Sequence, residues 1–155
     1  MTYILGKKSL ANLDGVHPDL VRVVKRAIGL TEQDFTVQEG LRSIETQREY
    51  LKRGVTKTLN SQHLKQGDGF GHAVDLVPWI GGQPRWEWPA IYPIAAAMRA
   101  AAAVEGVRLR WGGVWDRALA DLGNGPASLK QAVADYCVRH PGPDFLDGPH
   151  YELAR

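Results

Sequence analysis

Two segments carry side chains that could do metal chemistry. The first is Ser61-Gln62-His63 followed by Gly71-His72-Ala73-Val74-Asp75-Leu76, and the second is Asp147-Gly148-Pro149-His150-Tyr151-Glu152-Leu153. Together they offer imidazole nitrogens and a carboxylate. A catalytic zinc takes three N/O ligands from the protein and leaves its fourth position to water. His63, Asp75 and His150 satisfy that rule. Such an ion lowers the pKa of its water toward ~7, which makes a nucleophile near neutral pH. A neighbouring carboxylate can then take the water proton and pass it to a leaving amine. Asp147 is the candidate, on a turn expected to lead into a strand that carries His150.

Strand parity sorts the nearby residues. Side chains alternate between faces along a strand, so Asp75 shares a face with Ala73 and Val77 while His72, Val74 and Leu76 face the other way. His72 is therefore disfavoured as a co-ligand of Asp75, unless a bend at Gly71 rescues it. The same parity puts Glu152 beside His150, where it could orient a ligand. His17, before Pro18, reads as a residue at a helix start. His140, before Pro141, reads as a helix-end residue, where a cation suits the dipole.

The elements that must position these residues follow from periodicity and punctuation. Residues 18–28 predict a helix, with Leu20, Val23, Val24, Ala27 and Ile28 on one face, Pro18 at its start and Gly29 as its stop. A short strand follows at 35–39, then a helix at 44–53 with Ser43 as N-cap and Gly54 as stop. Residues 54–71 read as a loop. The clearest strand is 73–77, ended by Pro78, followed by a Gly/Pro/Trp stretch to residue 88. An Ala-rich helix is expected at 89–105, with Pro93 able to shift its start, and then a strand at 107–111. Within 112–144 only a helix at 127–139 stands out, and a last strand is expected at 150–153. Short strands mixed with helices in no strict βαβ rhythm argue for an α+β fold on a mostly antiparallel sheet.

Composition narrows the classes. The 155 residues are 44% hydrophobic and 23% charged, with a formal net charge of +2. Those values suit one ordinary globular domain over residues 1–155 and exclude wholesale disorder. Scattered basic residues with no stripe argue against nucleic-acid binding. The single cysteine, Cys137, forms no intramolecular disulfide and reads as a small buried hydrophobe. The N-terminal residues do not read as a signal peptide. The longest apolar run, Trp88 to Val104, is broken by two prolines and an arginine and falls short of the roughly 20 apolar residues of a span. The expectation is a soluble cytoplasmic chain, monomeric, with no membrane insertion.

The elements Ser61-x-His63, Gly71-x-Ala73-x-Asp75 and Asp147-x-x-His150 resemble the zinc signature of the VanY-like D-Ala-D-Ala carboxypeptidase and L-alanyl-D-glutamate peptidase family. More narrowly, the chain resembles the single-domain L-alanyl-D-glutamate endopeptidases of bacteriophage endolysins. Further matching segments are Ser9 through Leu20, Glu39-Gly40-Leu41-Arg42-Ser43 with Gln47, and Arg110-Trp111-Gly112-Gly113. The resemblance implies a Hedgehog/DD-peptidase-like fold and one zinc ion on His63, Asp75 and His150. It implies Asp147 as general base and Arg42 as an arginine that contacts substrate and stabilises the oxyanion, against the plain alternative of a surface ion pair with Glu45. It implies Ser61 and Gln47 as hydrogen-bonding residues around the site. Trp111 is either a cleft wall or core packing.

The chain also departs from the family. Leu64 to Phe70 is an extra Gly-rich loop between the two halves of the first motif, with Asp68 suited to a turn. Val114 stands where relatives carry an acidic residue, and 114–144 is long enough for an added helix or a lid. The implied activity is hydrolysis of the L-Ala–D-Glu bond of bacterial peptidoglycan, by an endolysin that waits in the host cytoplasm for holin-type release and carries no separate wall-binding domain. The alternatives are a zinc D-Ala-D-Ala carboxypeptidase or dipeptidase, and a non-catalytic peptidoglycan-binding module.

Overall fold

A computed structural model describes residues 2–56, 58, 60–142 and 145–154. Lys57 and Leu59 of the expected loop, Pro143 and Asp144 of the segment before Asp147, and both terminal residues lie outside the described residues. In chain order the elements are α1 (Lys7–Asn12), α2 (Pro18–Leu30), β1 (Phe35–Glu39), α3 (Ile44–Lys52), β2 (Ala73–Ile80), β3 (Gln83–Pro84), α4 (Trp88–Glu105), β4 (Leu109–Gly112), β5 (Val114–Ala118), a 3-10 turn at Leu119–Asp121, α5 (Gly125–Arg139) and β6 (Asp147–Leu153).

The sheet order is β1-β2-β6-β4-β5, with β3 paired to β2, and every pairing is antiparallel. The C-terminal strand thus sits in the middle, between β2 and β4. Helices cover one face. The apolar stripe of α2 is buried, as its spacing predicts. Ala95, Ala101 and Ala102 of α4 are buried too, together with Met98, and the small alanines let that helix lie close against α2 and the sheet. Val74 and Leu76 of β2, Trp111 of β4 and Tyr151 of β6 complete the core. Among the described residues no helix is long and apolar enough to cross a membrane.

Several boundaries differ from expectation, each for a physical reason. Strand β2 does not stop at Pro78. It continues to Ile80 and turns through Gly81 and Gly82, both at positive φ, into β3. Pro78 is tolerated because its carbonyl, not its missing N–H, is what the neighbouring chain uses, accepting from the Arg85 N–H at 2.8 Å. Helix α2 runs through Gly29 to Leu30. Helix α4 begins at Trp88 with Pro93 inside it, so the proline does not shift the start. Helix α1 and strand β5 carry too few periodic residues to be read from sequence. Cys137 is exposed, not buried. Leu129, Val133 and Tyr136 form the buried face of α5, and Cys137 lies one residue beyond it. Helix α5 packs on α4 and β5 and is not a lid, while Val114 is fully buried in the core.

Candidate active site

Asp75 stands in the middle of a row that crosses three strands. It pairs in register with Glu39 of β1 on one side and His150 of β6 on the other. Its face points away from the helices, as strand parity requires, because Val74 and Leu76 fill the core. His63 reaches the same point from the loop before β2. One ligand atom each from His63, Asp75 and His150 lies within 4.8 Å of the others.

The protonation pattern of these rings is set by their outer partners. His63 Nδ1 lies 2.8 Å from the Gly40 carbonyl, which can only accept, so Nδ1 carries the hydrogen. Its Nε2 lone pair then faces Asp75 Oδ1 at 3.2 Å. His150 Nε2 donates to Glu152 Oε1 at 2.8 Å, which turns Nδ1 toward the same Asp75 oxygen at 3.3 Å. Three lone pairs converge, each imidazole held by an oxygen behind it. Such a group could hold a metal ion, with outer partners of the kind that orient metal ligands. Burial pulls the His150 imidazolium down, but Asp75 and Glu152, with the charge of Asp147, push it up to about 10. Burial likewise pushes the Asp75 carboxyl up, and His63 and His150 outweigh it, holding that group well below the usual carboxylate range.

Asp147 lies on β6 itself, not on a turn before it. Its position depends on the Trp111-Gly112-Gly113 segment. A Cβ at Gly112 would stand 2.0 Å from the Asp147 carbonyl oxygen, so only glycine lets β4 approach there. The Trp111 indole N–H donates to the Gly148 carbonyl at 2.7 Å. Trp111 is fully buried, so it is core packing and not a cleft wall. Burial, then the nearby Asp75 charge, push the Asp147 carboxyl up to about 6.

Arg42 lines the cleft, but its ion-pair partner is Glu39 and not Glu45. Its guanidinium also donates to Gln47 Oε1 at 2.6 Å and lies 4.7 Å from the Tyr50 ring centroid. Gln47 is fully buried and donates onward to the Thr58 carbonyl at 2.7 Å. It stands behind Arg42, out of the cleft, so direct contact with substrate is closed to it. Ser61 lines the cleft, and its Oγ accepts from the His63 N–H at 3.1 Å. Gly40 supplies the carbonyl that orients His63 and has no room for a side chain, since a Cβ there would meet the Asn12 carbonyl of α1 at 2.0 Å.

The cleft over the row has a volume of about 730 Å³, and the sequence did not reveal much of its wall. Trp115 of β5 lies against His150 with ring centroids 5.4 Å apart and planes tilted by 46°, and its indole N–H donates to the Phe145 carbonyl at 2.6 Å. The other histidines stay outside. His72 is buried on the opposite side of β2 against Asp68, at 2.7 Å, and Asp68 also accepts from the Phe70 N–H in its turn. His17 caps α2, with Nδ1 accepting from the Asp19 N–H at 3.0 Å. His140 ends α5, beside Asp116.

The sequence model of the phage L-alanyl-D-glutamate peptidase family matches residues 1–126. The chain belongs to that family. The match takes in Arg42, His63 and Asp75, and ends before Asp147 and His150. Phage L-alanyl-D-glutamate peptidases with similar chains include that of Escherichia phage T5, which is 29% identical over 120 residues, 75% of this chain and 84% of that protein. Among solved structures, the crystal structure of the Serratia marcescens L-Ala D-Glu endopeptidase ChiX is similar over 97% of this chain and 90% of its own, with a TM-score of 0.71 and 36% identity. At 97% of the chain, that likeness takes in most of the residues beyond 126, where the phage peptidase match ends.

Proposed function

We propose that this chain is a metal-dependent peptidoglycan endopeptidase that hydrolyses the L-Ala–D-Glu bond of the stem peptide, with zinc as its metal. The observation that carries this reading is the convergence of His63 Nε2, His150 Nδ1 and Asp75 Oδ1 beneath an open cleft, in a member of the phage L-alanyl-D-glutamate peptidase family. Two nitrogens and one carboxylate oxygen suit zinc and leave a position for water. When bound, the ion would supply Lewis acidity that activates water and polarises the scissile carbonyl.

The chain's own residues do the rest. The Asp147 carboxylate suits a general base, because burial and the neighbouring Asp75 charge raise its affinity for a proton. It accepts the proton of the attacking water and delivers it to the α-amine of D-Glu as the C–N bond breaks. Glu39 and Gln47 hold Arg42 in one orientation. Because Glu39 balances its charge, Arg42 acts as an oriented hydrogen-bond donor to substrate oxygen more than as a free cation. Ser61 fixes the backbone of the His63 loop. The site draws on residues from Glu39 to Glu152, which supports one catalytic domain. In this reading the protein acts on the bacterial wall as an endolysin, after holin-type release from the host cytoplasm.

Mass spectrometry of purified peptidoglycan digested with and without a chelator tests this. New N-terminal D-Glu, lost with chelator and restored by zinc, is the expected result. Release of terminal D-Ala would select a carboxypeptidase instead, and no cleavage despite bound metal would select a binding module.

A further inference from the structure

The site opens in two directions. One is the large cleft, which carries Arg42 and Arg53. The other is a separate pocket of about 250 Å³ that shares Gln38, Asp75 and Asp147 with the cleft. Its remaining walls are mostly apolar, including Val77, Trp86, Trp88, Ile91 and Leu146, and no lysine or arginine among the described residues lines it. The shared carboxylates put the reacting bond where the two meet.

The two indoles of this pocket are held differently. Trp88 is a fixed floor, packed against Trp111 and Tyr92 with ring centroids 6.4 and 5.6 Å apart. Trp86 is 56% exposed and makes no ring contact among the described residues. It follows Arg85, whose backbone N–H donates to the Pro78 carbonyl at 2.8 Å, and its face stays open. An exposed aromatic face at the mouth of a substrate pocket suits a flat, weakly polar partner.

Resting on the endopeptidase reading, we propose that this pocket is the subsite for the glycan side of the substrate, with Trp86 stacking on the C–H face of the muramyl sugar. The make-up of the walls sets the direction. The D-Glu side of the scissile bond is polar and continues into a longer peptide, and it matches the larger cleft, whose wall is polar and offers the Arg42 donor. The L-Ala side bears a methyl group and an acyl link to the sugar, and matches the pocket without cations. The alanine methyl meets Val77, Ile91 and Leu146, and the sugar reaches Trp86.

The test compares two substrates that differ only in the glycan. One is the disaccharide-bearing tetrapeptide, and the other is the same tetrapeptide with its L-Ala amine acetylated. The wild-type protein is expected to prefer the first by at least tenfold in kcat/KM. Trp86→Ala is expected to remove most of that preference, and Trp86→Phe to retain part of it. No preference in the wild type, or an equal loss on both substrates in Trp86→Ala, would overturn the assignment. Cleavage of neither substrate at L-Ala–D-Glu by the wild type would overturn the endopeptidase reading, and the subsite with it.

Discussion

Asp75 and His150 are direct cross-strand partners on β2 and β6, with the imidazole Nδ1 3.3 Å from the carboxylate Oδ1. Residues 75 apart in the chain are thereby held by backbone hydrogen bonds on neighbouring strands, not by flexible loops. The rigidity continues outward, because Glu152 sits two residues along the same strand and grips the far nitrogen of His150.

Glu152→Gln keeps the shape of that outer contact but weakens the acceptor. Outer-shell changes typically cost about 10–100-fold in metal affinity. Zinc affinity measured by competition with a chelating dye is expected to fall within that range, while kcat at saturating zinc stays near wild type. An unchanged affinity would mean that Glu152 does not support the ligand.

Asp147→Asn removes the base and is expected to lower kcat by about 10²–10⁴-fold with zinc still bound. It also carries a stability sign. The folded carboxyl is raised from 3.8 to about 6, so the folded protein holds this proton more tightly than the unfolded chain. Stability from the protonated group is present below pH 3.8 and is lost as pH rises to about 6. In chelator-treated protein, Asp147→Asn should therefore melt higher than wild type at pH 7–8, by about 1–3 kcal/mol, and the gap should close near pH 3.8. A lower melting temperature at neutral pH would contradict the burial of the charge.

Trp111→Phe keeps the ring in the core and deletes the N–H that holds the Gly148 carbonyl. Leaving that carbonyl unpaired costs about 1–3 kcal/mol. Because Gly148 follows Asp147, kcat is expected to drop about tenfold with zinc content unchanged. Full activity would show that Asp147 does not depend on this hydrogen bond.

Asp116 binds Arg139 at 2.9 and 3.0 Å and His140 at 2.9 Å, joining the end of α5 to β5. Hydrogen bonds from Arg139 first, then His140, hold its carboxyl well below the usual range. Its stabilisation is present above the ordinary carboxyl value of 3.8 and is lost as pH falls below it. Solvent screens the pair, so Asp116→Asn is expected to cost only about 0.5–1 kcal/mol at pH 7. Urea denaturation at pH 7 and pH 3 should show the difference shrinking at the lower pH, and a difference that grows would contradict it.

The sequence made parts of this site legible and hid others. Parity along 73–77 separated Asp75 from His72 correctly, because β2 is regular there and Val74 and Leu76 must fill the core. Glu39 escaped notice because parity from Val37 would turn it inward. A bulge between Val37 and Glu39 turns it to the Asp75 row instead, and bulges leave no mark in alternation. The middle position of β6 was equally hidden, since strand order depends on pairing between distant segments. The Trp-Gly-Gly segment was visible as a motif. Its purpose, close approach of β4 to Asp147, needed the register of β4 and β6. Trp115 and Trp86 were visible only as aromatic residues in segments without periodicity.

The most direct test of one metal on His63, Asp75 and His150 is a zinc titration of the chelator-treated protein, reading bound metal and L-Ala–D-Glu cleavage together. Activity rising linearly to a break at one equivalent, and absent at every ratio in His150→Ala, is the expected result. Cleavage by the metal-free protein, a break at two equivalents, or full recovery in His150→Ala would contradict it.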